Sequence, residues 1–117
     1  MKALIIDDEN DICYLLSRLL NQKNLETSYV NNLSDATTAL KKNNQEIIFL
    51  DNNLPDGLGV NFLKYIKSNY PDSKIVMITA QDMNIEKQRA FKAGADYFIS
   101  KPFSRATIYK TVDELMN

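Results

Sequence analysis

The stretch Ile47-Ile48-Phe49-Leu50-Asp51 decides the fold. Four consecutive apolar residues run straight into a carboxylate. A short, uniformly apolar run of this kind is the pattern of a strand buried on both faces, as in a parallel sheet. The residues that follow include Pro55, Gly57 and Gly59, and 52–59 reads as a loop. In open α/β sheets the ligand crevice lies beyond the carboxyl ends of the strands. Asp51 therefore stands where chemistry is expected.

Related runs recur on both sides of this stretch. Ala3-Leu4-Ile5-Ile6 reads as a first strand, stopped by Asp7-Asp8-Glu9. Asn10 or Asp11 then has the character of a helix N-cap. Ile12, Leu15, Leu16, Leu19 and Leu20 follow the spacing of an amphipathic helix. Residues 25–30 alternate weakly and predict a second strand. Ser34 is expected to cap a second helix, running to about Lys42 with Ala36, Ala39 and Leu40 inward. Val60, Phe62, Leu63, Ile66 and Tyr70 mark a third helix, with Pro71 just past its end. Residues 74–79 predict a fourth strand. Residues 84–93 predict a helix bearing Ile85, Ala90, Phe91 and Ala93, with Gly94 at its C′ position. Tyr97-Phe98-Ile99-Ser100 predicts the fifth strand. Ser104 opens a last helix whose apolar side is Ile108, Val112, Leu115 and Met116.

Five strands alternating with five helices imply an α/β fold, a three-layer sandwich around a parallel sheet. Right-handed crossovers leave few topologies, and the order 2-1-3-4-5 is favoured at this size. The 117 residues are expected to form a single domain over 1–117. A net charge of −1 argues against a nucleic-acid-binding surface, which would show a basic stripe. No apolar run approaches membrane-spanning length and the N-terminus is not a signal peptide, so the cytoplasm is the expected location. Cys13 is the single cysteine, which excludes an internal disulfide. Histidine is absent, which removes imidazole bases and His-ligated zinc. A metal in this chain must be held by oxygen, which favours magnesium or calcium.

In this topology the strand ends converge on one edge. Strand one delivers Asp7 and Asp8, strand three Asp51, strand four Thr79 and strand five Lys101. Each has an ordinary explanation when taken alone. Paired acids favour helix starts, aspartate caps loops, threonine finishes strands, and a lysine is usually solvated. Their conjunction at one edge is hard to attribute to accident. Clustered carboxylates repel and hold protons unless cations sit among them. Lys101 supplies one positive charge; a magnesium ion, which binds few carboxylates and leaves room for phosphate oxygens, would supply the rest. An aspartate in that setting is placed to attack a phosphoryl group, with charge on the equatorial oxygens neutralised by its neighbours.

With these residues assembled, the chain resembles a response-regulator receiver domain of two-component signalling, of the chemotaxis-regulator type. The resemblance covers essentially its whole length. It is carried by Asp7-Asp8, Asp51 with Leu54-Pro55-Asp56-Gly57, Thr79-Ala80, Gly94-Ala95-Asp96 and Lys101-Pro102-Phe103. It supports the flavodoxin-like 2-1-3-4-5 sheet. It implies that Asp51 accepts a phosphoryl group from a phosphohistidine of a sensor histidine kinase or phosphotransfer protein. It implies magnesium on Asp8, Asp51 and the backbone carbonyl of Asn53, with Asp7 assisting. It implies Thr79 and Lys101 on the phosphoryl group, a cis Lys101-Pro102 bond, and Thr79 and Phe98 as the switch. Asn53 and Gln81 are expected near the phosphoryl path. Switching would reshape the face of helix four, strand five and helix five, controlling an output domain or target protein and favouring a phosphorylated homodimer. The family often has tyrosine where this chain has Phe98, so contacts by that hydroxyl are lost.

Such a domain is a signalling switch assisting its own phosphorylation and dephosphorylation, rather than an enzyme with a separate substrate. Two alternatives stand beside it. A magnesium-dependent phosphatase of the haloacid-dehalogenase type would place its nucleophile after strand one in an Asp-x-Asp pattern, which Asp7-Asp8-Glu9 does not match. A pseudo-receiver binding partners without phosphorylation would not need the complete acid set.

Overall fold

The computed structural model describes residues 1–80 and 84–116, with the side chains of 84–86 outside the description. Five strands form the main sheet: β1 (Lys2–Ile6), β2 (Glu26–Val30), β3 (Ile47–Asp51), β4 (Lys74–Thr79) and β5 (Tyr97–Ser100). All neighbours run parallel, in the order β2-β1-β3-β4-β5. Five helices alternate with them: α1 (Asn10–Gln22), α2 (Leu33–Lys42), α3 (Gly59–Asn69), α4 (Asn84–Lys92) and α5 (Arg105–Met116). The expected α/β sandwich and strand order are both present.

The apolar runs have a plain cause. Successive strand residues point to opposite faces, and both faces of this sheet are covered. Ile5, Ile47, Phe49, Val76 and Ile78 pack with Leu16 and Leu20 of α1 and Ile108 and Val112 of α5. Leu4, Ile6, Ile48, Leu50 and Met77 pack with Leu40 of α2, Leu63 and Ile66 of α3 and Ala90 of α4. Residues 47–50 are fully buried, as the opening stretch requires. The edge strand β2 is largely exposed, which explains its weak pattern.

Several boundaries differ from expectation. Asp51 is still in the ladder, opposite Ile78, and so is the last residue of β3. The 52–59 segment is not all loop. Asn53–Leu54 and Gly57–Leu58 form a small antiparallel ribbon, and α3 begins at Gly59. The N-cap of α1 is Glu9, not Asn10 or Asp11; it makes no side-chain cap, and its carboxylate instead meets Lys101. The strand expected from Leu25 starts at Glu26. Ser34 lies inside α2, and the cap is Asn32, whose Oδ1 accepts the Asp35 amide at 2.7 Å. The Asp56 carboxylate accepts the Leu33 and Ser34 amides at 2.8 and 3.0 Å. Between them, two side chains from different segments satisfy the first three amides of α2. These bonds hold Asp56 below the usual carboxylate range, the Leu33 amide first among them.

Other expectations hold. Ser104 Oγ accepts the Thr107 amide at 3.1 Å and opens α5. Gly94, at φ 113°, closes α4: its amide reaches Phe91 O and the Ala95 amide reaches Ala90 O, a Schellman arrangement. Phe91 is exposed, and Ile85 lies outside the described side chains. Replacing Asn32 by Ala removes one cap bond from α2. Urea denaturation is expected to show a loss of about 1 kcal/mol, with an unchanged m-value.

Candidate functional site at the carboxyl ends of the strands

The strand ends place the acidic and basic groups together. Asp7 follows β1 and is buried, with its amide on Val30 O and its Oδ1 accepting the Glu9 amide at 2.8 Å. Asn31 donates to Asp7 O and to Asn10 Oδ1, fastening the turn after β1 to the end of β2. Asp51 is buried at the end of β3, whereas Asp8 is exposed. One oxygen from each of Asp7, Asp8 and Asp51 lies within 4.8 Å of the others. Lys101 follows β5. Its Nζ lies 3.0 Å from Asp7 Oδ2, 3.0 Å from Glu9 Oε1 and 3.7 Å from Asp51 Oδ1. Its amide donates to Thr79 O at 2.7 Å, carrying the β4–β5 ladder one step past the sheet. The Lys101-Pro102 bond is cis.

The electrostatics follow from one ammonium facing several acids. Burial raises Asp51 to about 6, and the Asp7 charge pushes the same way; Lys101 and a backbone hydrogen bond from Asn53 oppose them. Burial likewise raises Asp7, against the Glu9 amide and Lys101. Burial tends to lower Lys101, but hydrogen bonds to Asp7 and Glu9 and the charge of Asp51 outweigh it, so its proton is held more tightly. Burial is the common cause at Asp7 and Asp51, whereas at Lys101 the neighbouring acids outweigh burial. Asp7 Oδ2 is buried, and its near neighbour is the Lys101 ammonium at 3.0 Å. Three carboxylate oxygens this close together, with one ammonium beside them, fit a hard divalent cation held by oxygen.

The backbone under Asp51 is tightly specified. A Cβ on Gly59 would stand 2.2 Å from Asp51 O, so α3 starts against the end of β3 only because residue 59 is glycine. Asn52 is buried. Its amide donates to Ile78 O, its carbonyl accepts the Gly59 amide, and its Oδ1 accepts the Val60 amide at 3.0 Å. Glu9, Asn31, Asn52 and Gly59 were not singled out from sequence as parts of the site. Asn53 is exposed in the ribbon. Gln81 lies outside the described residues.

Two further groups border the site. Thr79 is buried and shares with half-buried Phe98 the lining of a cavity of about 80 Å³, which Met77, Val60 and Arg89 also face. Phe98 packs on the α2–α3–α4 side and Tyr97 on the α1–α5 side, as strand alternation requires. Cys13 is buried on α1 and its thiol donates to Asp7 O at 3.3 Å; burial pushes it up to about 12.

This fold has counterparts among known proteins. The family model described as response regulator receiver domain matches residues 3–113, and the chain belongs to that family. It is 38% identical over 101 residues to the response regulator protein PilR of Pseudomonas aeruginosa, covering 86% of this chain and 23% of that protein. It is 29% identical to the phosphate regulon transcriptional regulatory protein PhoB of Escherichia coli, covering 98% of this chain and 51% of PhoB. The chain thus spans about half or less of these relatives. Among solved structures, the beryllofluoride-activated NtrC4 receiver domain dimer superposes with a TM-score of 0.93 at 34% identity, covering 97% of this chain and 94% of that one. A two-component response regulator from Clostridium difficile superposes with a TM-score of 0.95 at 28% identity, covering 99% and 95%. Receiver domains are phosphorylation-dependent signalling switches, and their acidic pocket generally binds magnesium.

The raised Asp51 carboxyl has a measurable consequence. Its folded value lies above the unfolded one, so between pH 4 and 6 the native state holds the extra proton. The metal-free protein is therefore expected to lose stability as pH rises through that window, by on the order of 2–3 kcal/mol from this group. Asp51→Asn should be more stable than the parent at pH 7.5, with the difference vanishing near pH 4. Urea titrations across that range in EDTA check both signs.

Proposed function

We propose that Asp51 is the phosphoryl acceptor of this receiver domain, taking the group from a phosphohistidine of a sensor histidine kinase or phosphotransfer protein. One observation carries this reading above the others: the buried Asp51 carboxylate at the end of β3, with the Lys101 ammonium 3.7 Å away and two further acids around it. A carboxylate oxygen of Asp51 attacks phosphorus. The new O–P bond forms as the P–N bond breaks, and the bonding pair leaves with the imidazole nitrogen. Lys101 offsets charge on the transferred group. Asp7 and Glu9 keep Lys101 protonated and aimed. Thr79 supplies its hydroxyl to a phosphoryl oxygen.

Asp8, Asp51 and the Asn53 carbonyl, with Asp7 assisting, are the groups that would hold magnesium. When bound, the ion supplies positive charge next to the equatorial oxygens. The same residues assist loss of the phosphoryl group to water, so the domain promotes both halves of its own cycle. No separate substrate is turned over.

Once charge is added at Asp51, Thr79 moves toward it and Phe98 follows into the adjoining cavity. That motion changes the face of α4, β5 and α5, which acts on an output domain or target protein and favours a homodimer. Residues 1–117 act as one receiver unit in the cytoplasm, with no direct nucleic-acid contact and no membrane contact of their own. The 80 Å³ cavity between Thr79 and Phe98 supports the coupling, because it offers room for a ring to move.

Acetyl phosphate with magnesium is expected to label Asp51, with the modified peptide identified by mass spectrometry. Asp51→Asn should lose the label; labelling of that variant at the parent rate contradicts the assignment. Phe98→Ala should keep the label yet lose any gain in molar mass that beryllofluoride produces in the parent, read by light scattering.

A further inference from the structure

A second charged surface lies between α3 and α4. These helices carry Lys64, Lys67, Lys87, Arg89 and Lys92 against the one acid Glu86, in a chain whose net charge is −1. Lys67 is occupied: its ammonium bonds Ser73 O at 3.1 Å and pairs with Asp96 at 3.4 Å. Lys64, Arg89 and Lys92 are exposed and make no ion pair among the described residues. Together with Val60, Asn61 and Ala93 they line a groove of about 330 Å³. The described lining thus consists of three cations, one amide and two small apolar residues, with no carboxylate among them.

We propose that this groove binds an acidic peptide segment, a short run of Asp or Glu on a partner protein. Three cations around one depression concentrate positive potential, and low-dielectric walls focus it. Val60 and Ala93 give the carbon stems of glutamate side chains an apolar surface to rest on. The size is at the small end of ligand pockets, which run from about 300 to 1,000 Å³, and it suits a few side chains. A nucleic acid is disfavoured, because its affinity grows with the number of phosphates neutralised in a row. Three cations supply few such contacts, and the acids at the strand ends would repel a longer polyanion. Arg89 and Val60 also line the cavity shared by Thr79 and Phe98. A segment held in the groove therefore touches residues that border the switch. The groove itself stands on its own charge and shape, whether or not Asp51 is the acceptor.

Fluorescence anisotropy with a short capped poly-glutamate peptide and the full chain tests this. Saturable binding that weakens with added salt is expected. Lys64→Glu with Lys92→Glu should weaken it roughly tenfold or more, while Lys41→Glu with Lys42→Glu on α2 leaves it nearly unchanged. Amide shifts on titration should centre on Val60, Lys64, Arg89 and Ala93. Absence of saturable binding, equal loss in the α2 variant, shifts centred elsewhere, or tighter binding of an oligothymidylate of equal charge each overturns the proposal.

Discussion

One ammonium group holds the working edge of this protein together. Lys101 reaches Asp7, Glu9 and Asp51 from the far side of β3 and β4. It is the cation that the ends of β1, β3 and β5 share. Because its side chain is only 10% exposed, water screens these pairs far less than surface pairs. Yet a single charge does not balance the carboxylates around it. Burial raises the proton affinity of Asp51 and Asp7, and the acids around Lys101 raise that of the ammonium. Such a centre attracts a divalent cation, and the three carboxylate oxygens within 4.8 Å of one another are the most direct sign of it.

The sheet makes this arrangement stiff. Residues 47–50 cannot tilt without opening both faces of the core at once. Behind Asp51, Gly59 and Asn52 fix where the chain turns into α3. Asp56 then ties that turn to the first residues of α2. A change of charge at Asp51 therefore has little freedom to be absorbed in its own strand or its own loop. The neighbouring cavity between Thr79 and Phe98 is the nearby volume where side chains can rearrange.

The architecture was legible because its cause is local. Apolar runs at 3–6, 47–50 and 75–78 have one explanation, burial on both faces, and the helical spacing of Leu16, Leu19 and Leu20 has another. That Asp7, Asp8, Asp51, Thr79 and Lys101 would meet was legible for a related reason: each directly follows or ends a strand, or lies within two residues of its end, so a parallel sheet brings them to one edge. The supports of the site were not legible. Glu9 looks like an ordinary first-turn acid until Lys101 is brought to it from 92 residues away. Asn32 displaces Ser34 as the cap of α2 because Asp56 arrives from another segment to take the first two amides. Gly59 reads as loop flexibility, whereas its function is to leave room for a carbonyl oxygen. In each case the deciding contact comes from a different element or segment, and local propensity carries no trace of it.

Cys13 gives the protein an unplanned clock. It is the only thiol in the chain, it is fully buried, and it donates to the carbonyl of Asp7 beneath the acidic cluster. With its proton held up to about 12, it is inert to alkylating reagents while α1 stays docked. Reagent can reach it only when α1 lifts from β1. The rate at which a thiol probe consumes this residue thus reports how often the floor of the acidic site opens. Binding or charge that tightens the strand edge slows that rate without any label having been introduced.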